Sequence, residues 1–180
     1  MRKIIFTYGL ISGGIIIIST LGTISIWNTN QHFFSEWLGY LVMIVALSLV
    51  FFGIKSYRDN QQGGVINFKT ALGIGLGISL VASVIYTTSW EIYFQNSDSS
   101  FMDNYEAHYI RKMEKDGATV EEIANKKSEI AEWRELSKNP LVRIGITFTE
   151  IIPVGILISL IAAGILRRSE ILPGVSGSET

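Results

Sequence analysis

The sequence predicts an all-α protein: a four-helix transmembrane bundle with an extracytoplasmic helical hairpin between spans three and four. Charged residues make up only 17% of its 180 residues, below the ~25% typical of soluble domains. Their placement is uneven, since Glu36 is the one charged residue between Lys3 and Lys55, whereas residues 98–138 hold ten acids and seven bases. A soluble fold spreads charge along every helix, so these blocks indicate two solvents along one chain.

Four apolar runs are long enough to cross a bilayer, because a helix rises 1.5 Å per residue and the hydrocarbon core is about 30 Å thick. The runs are residues 4–27, 37–54, 68–93 and 141–166. Arg2 and Lys3 precede the first run as in a signal peptide, but the run is long and no Ala-x-Ala cleavage pattern follows it, so we interpret it as an uncleaved span. We expect residues 1–168 to form a single membrane domain and the Ser/Gly-rich residues 169–180 to form a disordered tail.

The polar segment between the third and fourth runs is predicted to be helical. In residues 101–115, large apolar and aromatic side chains recur at every fourth position, which places them on one stripe of a helix. Asp116 and Gly117 end this helix. Residues 119–122 (TVEE) form a capping box that starts a second helix over residues 120–137.

Basic residues orient the chain. Seven of them lie on one side of the four spans: Arg2, Lys3, Lys55, Arg58, Lys69, Arg167 and Arg168. The loop of residues 28–36 on the other side has no lysine or arginine. The positive-inside rule therefore predicts a multi-pass membrane protein with both termini and the Lys55–Lys69 loop in the cytoplasm.

Small residues recur at every fourth position in three spans. They are Gly9 and Gly13, then Ala71, Gly75, Ser79 and Ser83, and finally Gly155, Ser159 and Ala163. Small side chains let helices approach closely in lipid. We therefore expect tight contacts of spans one, three and four, made either within the chain or in a homo-oligomer.

Several kinds of chemistry have no support in the sequence. It contains no cysteine, no P-loop, no HExxH and no GxSxG motif, and its two histidines, His32 and His108, lie in no ligand-like cluster. We expect no catalytic residue, no cofactor and no metal site. A net charge of −1 gives no basic footprint for nucleic acid, so the predicted partner is the lipid bilayer.

Glu150 is the candidate intramembrane polar site. It lies about ten residues, or ~15 Å, inside the helix that starts at Leu141. Pro153 removes a backbone donor and frees the carbonyl of Thr149 at the same depth. A carboxyl group beside an exposed carbonyl suits binding of a proton or a cation. The alternative is a structural hydrogen bond to a hydroxyl of the third span: Ser79, Ser83 or Thr87.

Three more charged residues are secondary candidates: Arg143, Glu91 and Glu36. Arg143 lies ~10 Å closer to the outside than Glu150, and we expect it to reach the lipid headgroups. Glu91 and Glu36 lie near the outer interface, where hydration alone accounts for them.

Six segments together resemble a bacterial family of short four-span membrane proteins, common in Bacteroidota and catalogued as a domain of unknown function. They are residues 36–40 (EWLGY), 53–58 (GIKSYR), 63–68 (GGVINF), 90–93 (WEIY), 101–105 (FMDNY) and 149–155 (TEIIPVG). The family pattern has Phe before the proline, where this chain has Ile152. The resemblance implies the four-span topology and a location in the bacterial inner membrane, and it transfers no activity.

The sequence favours a non-enzymatic membrane protein, either a small-solute or ion permeation unit or a structural or regulatory subunit. Four spans are few for a transporter, so permeation requires an oligomer. The alternative is an accessory subunit of a membrane enzyme, or an intramembrane enzyme that uses Glu150. No histidine, cysteine or aspartate occurs in the four predicted spans to assist Glu150 in catalysis, which disfavours the enzyme.

The predicted orientation can be tested by cysteine labelling in intact spheroplasts. We expect Gly117→Cys to react with a membrane-impermeant reagent and Asn60→Cys to be protected, because the basic residues hold the second loop inside. Tags at Met1 and Thr180 should report the cytoplasm. Labelling of Asn60→Cys but not of Gly117→Cys would reverse the orientation.

Overall fold

The structure is a computed structural model that describes the backbone of residues 1–27, 36–97 and 100–167, with side chains for residues 1–22, 39–97 and 101–167. The helices are α1 (Arg2–Trp27), α2 (Glu36–Leu47), α3 (Leu49–Gln61), α4 (Phe68–Asn96), α5 (Ser100–Lys115), α6 (Val120–Leu136) and α7 (Pro140–Leu166). No strand occurs in the backbone so described. The all-helical class is confirmed.

Four helical stretches within the described residues are long and apolar enough to cross a membrane. They are Arg2–Gly22, Gly39–Gln61, Phe68–Asn96 and Pro140–Leu166. The four predicted spans are therefore confirmed by length and composition, as in a multi-pass membrane protein. Residues 169–180, predicted to be a disordered tail, lie outside the described residues.

The second span differs from its prediction in two ways. The sequence ended it at residue 54, whereas α3 continues to Gln61. Lys55 and Arg58 do not stop the helix, because both pair with Asp59. The span is also interrupted at Ser48, whose hydroxyl donates a hydrogen bond of 2.6 Å to the carbonyl of Val45. Such a bond competes with the regular helical pattern and often bends a helix.

The turn after α3 is the Gly63–Gly64 turn that the sequence predicts. Their φ angles are 63° and 88°, a left-handed region that glycine enters without steric cost. Helix α4 then begins behind Asn67, whose side chain accepts a hydrogen bond of 2.8 Å from the backbone of Thr70. This is the usual way in which a helix start satisfies its free N–H groups.

The chain divides into two compact units. Unit one contains Met1–Tyr86 and Phe148–Thr180, and unit two contains Thr87–Thr147. Helices α4 and α7 therefore contribute residues to both units, whereas α1 to α3 belong to unit one and α5 and α6 to unit two.

In unit one, α1 and α4 run parallel and nearly touch. A methyl group added to Gly9 would lie 2.6 Å from the side chain of Val81, and one added to Gly13 would lie 3.0 Å from Ile85. From the first contact to the second, the residue number increases on both helices, so α1 and α4 run in the same direction. The predicted glycine pair thus serves as the contact surface of α1 for α4.

Helix α7 packs antiparallel against another face of α4 in the same unit. A methyl group on Gly75 would lie 2.8 Å from Ser159, and one on Gly155 would lie 2.7 Å from Ser79. The Ser79 hydroxyl also donates a hydrogen bond of 3.4 Å to the carbonyl of Gly155. The tight contacts predicted for spans one, three and four are confirmed within the chain.

Helix α3 completes unit one and runs antiparallel to α1. Gly53 lies against Tyr8 and Ile78, and the amino group of Met1 lies 3.2 Å from the side-chain oxygen of Gln61. The buried core contains large aliphatic side chains from four helices, all of them fully enclosed: Leu47, Ile54, Ile74, Ile78 and Ile151. Because the small-residue stripes are used inside the chain, they no longer favour a homo-oligomer, which stays a prediction.

In unit two, α5 and α6 form an antiparallel helical hairpin. Arg134 near the end of α6 pairs with Asp103 and Glu106 near the start of α5, at 2.7 and 3.2 Å. The stripe predicted on α5 is present, because the Phe101 and Tyr109 rings both lie against Tyr105. These contacts hold the two helices side by side.

The two ends of the hairpin turn also match the sequence. Gly117 has a φ of 80°, a backbone conformation that is strained for a residue with a side chain. The cysteine for labelling is therefore better introduced at Asp116, the exposed neighbour. The capping box is confirmed, since Thr119 and Glu122 exchange hydrogen bonds between side chain and backbone. The bonds from the Thr119 backbone and hydroxyl hold the pKa of the Glu122 carboxyl below its ordinary value.

The packing of α4 can be tested with two neighbouring glycines. Gly75→Ala should destabilise the protein by roughly 1–3 kcal/mol, because its methyl group would overlap Ser159. Gly73→Ala is the matched control, since no atom lies within 4 Å of its methyl position, and it should be neutral or stabilising by up to about 1 kcal/mol. Thermal unfolding in detergent measures both, and equal losses of stability would refute the close contact.

Candidate functional site

Among the described residues, two candidate sites involve charged side chains of the membrane-spanning helices α4 and α7, one in each unit. In unit two, Arg143 of α7 binds Glu91 of α4 with two prongs. Its Nε donates to Oε2 of Glu91 at 2.9 Å, and its Nη2 donates to Oε1. Both side chains are almost enclosed, with 10% and 14% of their surface exposed. A bidentate pair of this kind is among the stronger charged contacts in proteins.

The remaining polar atoms of this pair also have partners. Arg143 donates through Nη1 to the carbonyl of Ser137, and its guanidinium lies 4.6 Å from the centre of the Phe94 ring. Gln95 donates to the Glu91 carboxylate at 2.8 Å. The two charges are thus neutralised locally and hold the start of α7 against the end of α4.

The pair corrects the sequence interpretation of both residues. Glu91 is not merely hydrated, and Arg143 does not extend to the headgroups, since each is the other's partner. The physical reason is that a charge partly withdrawn from water is stabilised more by an opposite charge than by an incomplete hydration shell. Glu36, the third secondary candidate, begins α2, and its side chain lies outside the described residues.

Glu150 occupies an open position on α7 in unit one. It is exposed, although the next residue, Ile151, is fully buried in the core. Tyr86 of α4 lies close enough to interact electrostatically with its carboxyl group, and the Tyr86 hydroxyl also bonds to Thr20 of α1. A carboxyl group, a phenol and a hydroxyl from three helices therefore share this part of unit one.

The hydroxyl groups that the sequence offered as partners of Glu150 are used elsewhere. Ser79 donates to the carbonyl of Gly155, and Ser83 donates to the carbonyl of Ser79 at 2.8 Å. Within the part of the chain that the structure describes, no hydrogen bond or ion pair to the Glu150 carboxyl is found. A structural interhelical bond therefore does not account for it.

The two residues predicted to accompany Glu150 have different outcomes. Pro153 lies inside α7 without ending the helix. Thr149 makes an interaction of its own, so the case for this site depends on Glu150 and not on a free carbonyl. Among the described residues, no three acidic or histidine side chains come together as ligands for a metal ion.

Two buried hydroxyl groups have no hydrogen-bond partner in the described part of the chain, those of Ser12 in unit one and Thr87 in unit two. A buried polar group without a partner is costly. Thr87 lies one helical turn before Glu91, on the face of α4 that carries the ion pair. It therefore extends the polar character of that face further into the span.

Comparison with protein families decides what the chain is related to. A model of a family described as a protein of unknown function (DUF4199) matches residues 7–168. The chain belongs to this family. No curated protein and no solved structure matches the chain.

The DUF4199 match confirms the resemblance to a family of unknown function, and it covers the first span from residue 7 onward, the other three spans and the hairpin. The family's description assigns no activity, so the function of this DUF4199 protein has to come from its own residues. An origin in Bacteroidota stays a prediction.

The sequence missed two features of these sites. It did not pair Glu91 with Arg143, although each is an isolated charge near the end of a long apolar run, a signal that could have joined them. It also missed Tyr86 beside Glu150, because a tyrosine within an apolar run has no distinguishing pattern. Outside these sites, the sequence suggested that Arg58 is a base flanking the second span, whereas its side chain is fully buried.

The ion pair can be tested against an exposed pair in the same unit. Arg143→Gln should destabilise the protein by about 3 kcal/mol, because it leaves the Glu91 carboxylate nearly enclosed and unpaired. Arg134→Gln is the control: its pair is more exposed, and the loss should stay below ~1 kcal/mol. Thermal unfolding in detergent gives both values.

A double variant completes this test. Adding Glu91→Gln to Arg143→Gln removes the uncompensated charge and should recover part of the lost stability. If the losses of the two single variants simply add, the residues do not interact in the folded protein.

Proposed function

We propose that this protein is a non-enzymatic subunit of the bacterial cytoplasmic membrane that binds a proton or a small cation at Glu150, as part of an ion or small-solute permeation unit. The observation that supports this proposal best is the position of Glu150 on α7. An acid within a membrane-spanning helix is a candidate functional residue by default, because its charge is expensive in lipid.

The depth of Glu150 makes this cost considerable. It is the eleventh residue of α7, a helix of 27 residues, so it lies about 15 Å from one end of a helix about 40 Å long. A flexible glutamate side chain spans only a few ångströms and cannot reach water from there in a flat bilayer. Its charge must be removed by a proton, matched by a cation or hydrated in a cavity.

The surroundings of Glu150 distinguish it from Glu91. Glu91 is matched by Arg143, and an internally compensated pair has no need of a ligand. Glu150 is exposed, and Tyr86 on α4 interacts electrostatically with its carboxyl group, but no described residue forms an ion pair with it. A proton or a cation supplies the compensation that the described residues do not.

The exposed position of Glu150 on α7 also suggests how copies of the chain would assemble. Thr149 and Pro153, which flank Glu150 on α7 in unit one, are exposed as well. A second copy that covered this side would enclose the carboxyl between chains. Four spans per chain are few for permeation, so the proposal places the path in such an oligomer.

The proposal also includes the orientation of the chain in the membrane. Six of the seven bases that the positive-inside rule assigns to the cytoplasm belong to α1, α3 and α4 or directly follow α7. The seventh, Arg168, lies outside the described residues. Both termini then lie in the cytoplasm, and the hairpin of α5 and α6 lies outside.

An accessory role in a membrane enzyme, or catalysis at Glu150 itself, has weaker support. General acid–base chemistry needs a second group within hydrogen-bond reach of the reacting atoms. The one polar side chain known to lie near Glu150 on α4 is Tyr86, whose hydroxyl is bonded to Thr20. This arrangement fits a binding site better than a catalytic one.

The proposal can be tested by ion flux. Purified protein reconstituted in liposomes with an enclosed pH-sensitive dye should dissipate an imposed pH or cation gradient, and Glu150→Gln should abolish this flux, because it keeps the shape of the side chain but cannot ionise. Glu106→Gln, which removes an acid of the hairpin, should leave the flux unchanged. Unfolding temperatures should stay close for both variants and wild type.

The opposite result is equally clear. If wild type and Glu150→Gln give the same fluxes of protons and of monovalent cations, the carboxyl group is not part of a permeation path, and the proposed function fails.

A further inference from the structure

Four helix ends meet at one end of unit one. Because α1 and α4 run parallel, and α3 and α7 run antiparallel to them, the starts of α1 and α4 lie with the ends of α3 and α7. The bond between the Met1 amino group and Gln61 ties two of these ends directly. We call this the basic end, and it comprises Arg2, Lys3, Lys55, Arg58, Asp59, Lys69 and Arg167.

Among the described residues, the bases of the basic end outnumber its acids. Four of its bases are exposed: Arg2, Lys3, Lys69 and Arg167. Asp59 is the single acid among its described residues, and it is already engaged by Lys55 and Arg58. None of the four exposed bases forms an ion pair within the described part of the chain.

The charge is distributed over three different helices. Arg2 and Lys3 belong to the first turn of α1, Lys69 to the first turn of α4, and Arg167 directly follows α7. A flexible basic tail would carry such residues in sequence, whereas here folding brings them to one surface. The bases are therefore presented by rigid elements, which lowers the entropic cost of binding a ligand with several of them.

The surface beside the basic end is apolar and exposed. Phe6 and Leu10 on α1 and Val65 before α4 each have 57% of their surface exposed. They belong to, or directly adjoin, helices long and apolar enough to cross a membrane. A ligand of this surface thus meets positive charge at the helix ends and hydrocarbon-like side chains immediately below.

We propose that the basic end is a binding surface for anionic phospholipids, with the four exposed bases around the headgroup phosphate and the acyl chains along α1. Phosphate oxygens accept charge-assisted hydrogen bonds from lysine and arginine. Clusters of basic residues next to membrane spans are typical sites for acidic lipids. The proposal does not depend on Glu150 or on any flux.

The experiment compares two lipids that differ in headgroup charge. Protein in a neutral detergent is titrated with short-chain phosphatidylglycerol or phosphatidylcholine, and binding is followed by native mass spectrometry and by the unfolding temperature. Wild type should bind phosphatidylglycerol at least ten-fold more tightly, and raising the salt concentration should weaken this preference.

The variant removes the four exposed bases by Arg2→Gln, Lys3→Gln, Lys69→Gln and Arg167→Gln. Its preference for phosphatidylglycerol should disappear. The matched control removes four exposed bases of unit two by Arg111→Gln, Lys112→Gln, Lys115→Gln and Lys127→Gln, and should keep the preference. Because Arg2 and Lys3 also direct insertion, Lys69→Gln with Arg167→Gln serves as a second variant, with a partial loss expected.

Three outcomes would overturn the proposal. Equal affinity of wild type for the two lipids would show that charge is not recognised. An equal loss in the control would show that total charge, and not the basic end, is responsible. Competition by inorganic phosphate at the same concentration as the lipid would show a phosphate site with no requirement for the acyl chains.

Discussion

Helix α4 is held between α1 and α7 by contacts that leave no room for one additional methyl group. In lipid, apolar surfaces gain little by meeting each other, so helices associate through close packing and hydrogen bonds. Close packing needs backbones that approach within the reach of dispersion forces, which fall off steeply with distance. Gly9, Gly13, Gly75 and Gly155 supply this approach, and the bond from Ser79 to Gly155 adds a direct polar link.

This packing determines which residues of α7 are enclosed and which are not. In unit one, Gly75 faces Ser159 and Ser79 faces Gly155. In unit two, Glu91 faces Arg143. In unit one, the contact residues of each helix are four positions apart, so one side of each helix makes the contact. Glu150 precedes the buried Ile151 by one residue, which turns it about 100° away from that side. Its exposure follows from the position of the glycines.

The sequence predicts what depends on local pattern and misses what depends on register. The four spans, the glycine turn and the capping box can be recognised because composition or short motifs specify them. The Glu91–Arg143 pair joins residues 52 positions apart, and only the alignment of α4 with α7 brings them together. The direction of Glu150 is equally hidden, because lipid and protein interior are both apolar and periodicity alone does not tell them apart. Helix α3 extends beyond its predicted end because Asp59 neutralises two bases that suggested a stop.

The contact between Ser79 and Gly155 joins residues 76 positions apart, and this separation has a consequence for how the chain enters the membrane during synthesis. Helix α1 leaves the ribosome before α4, so the parallel contact between them forms as soon as α4 is inserted. The opposite face of α4, with Ser79 and Ser83, then meets lipid or the insertion machinery until α5, α6 and finally α7 have been made. At synthesis rates of about 5–20 residues per second, this interval lasts several seconds. A chain that ends before α7 leaves Gly75 and Ser79 of α4 without the helix that they contact in the complete protein.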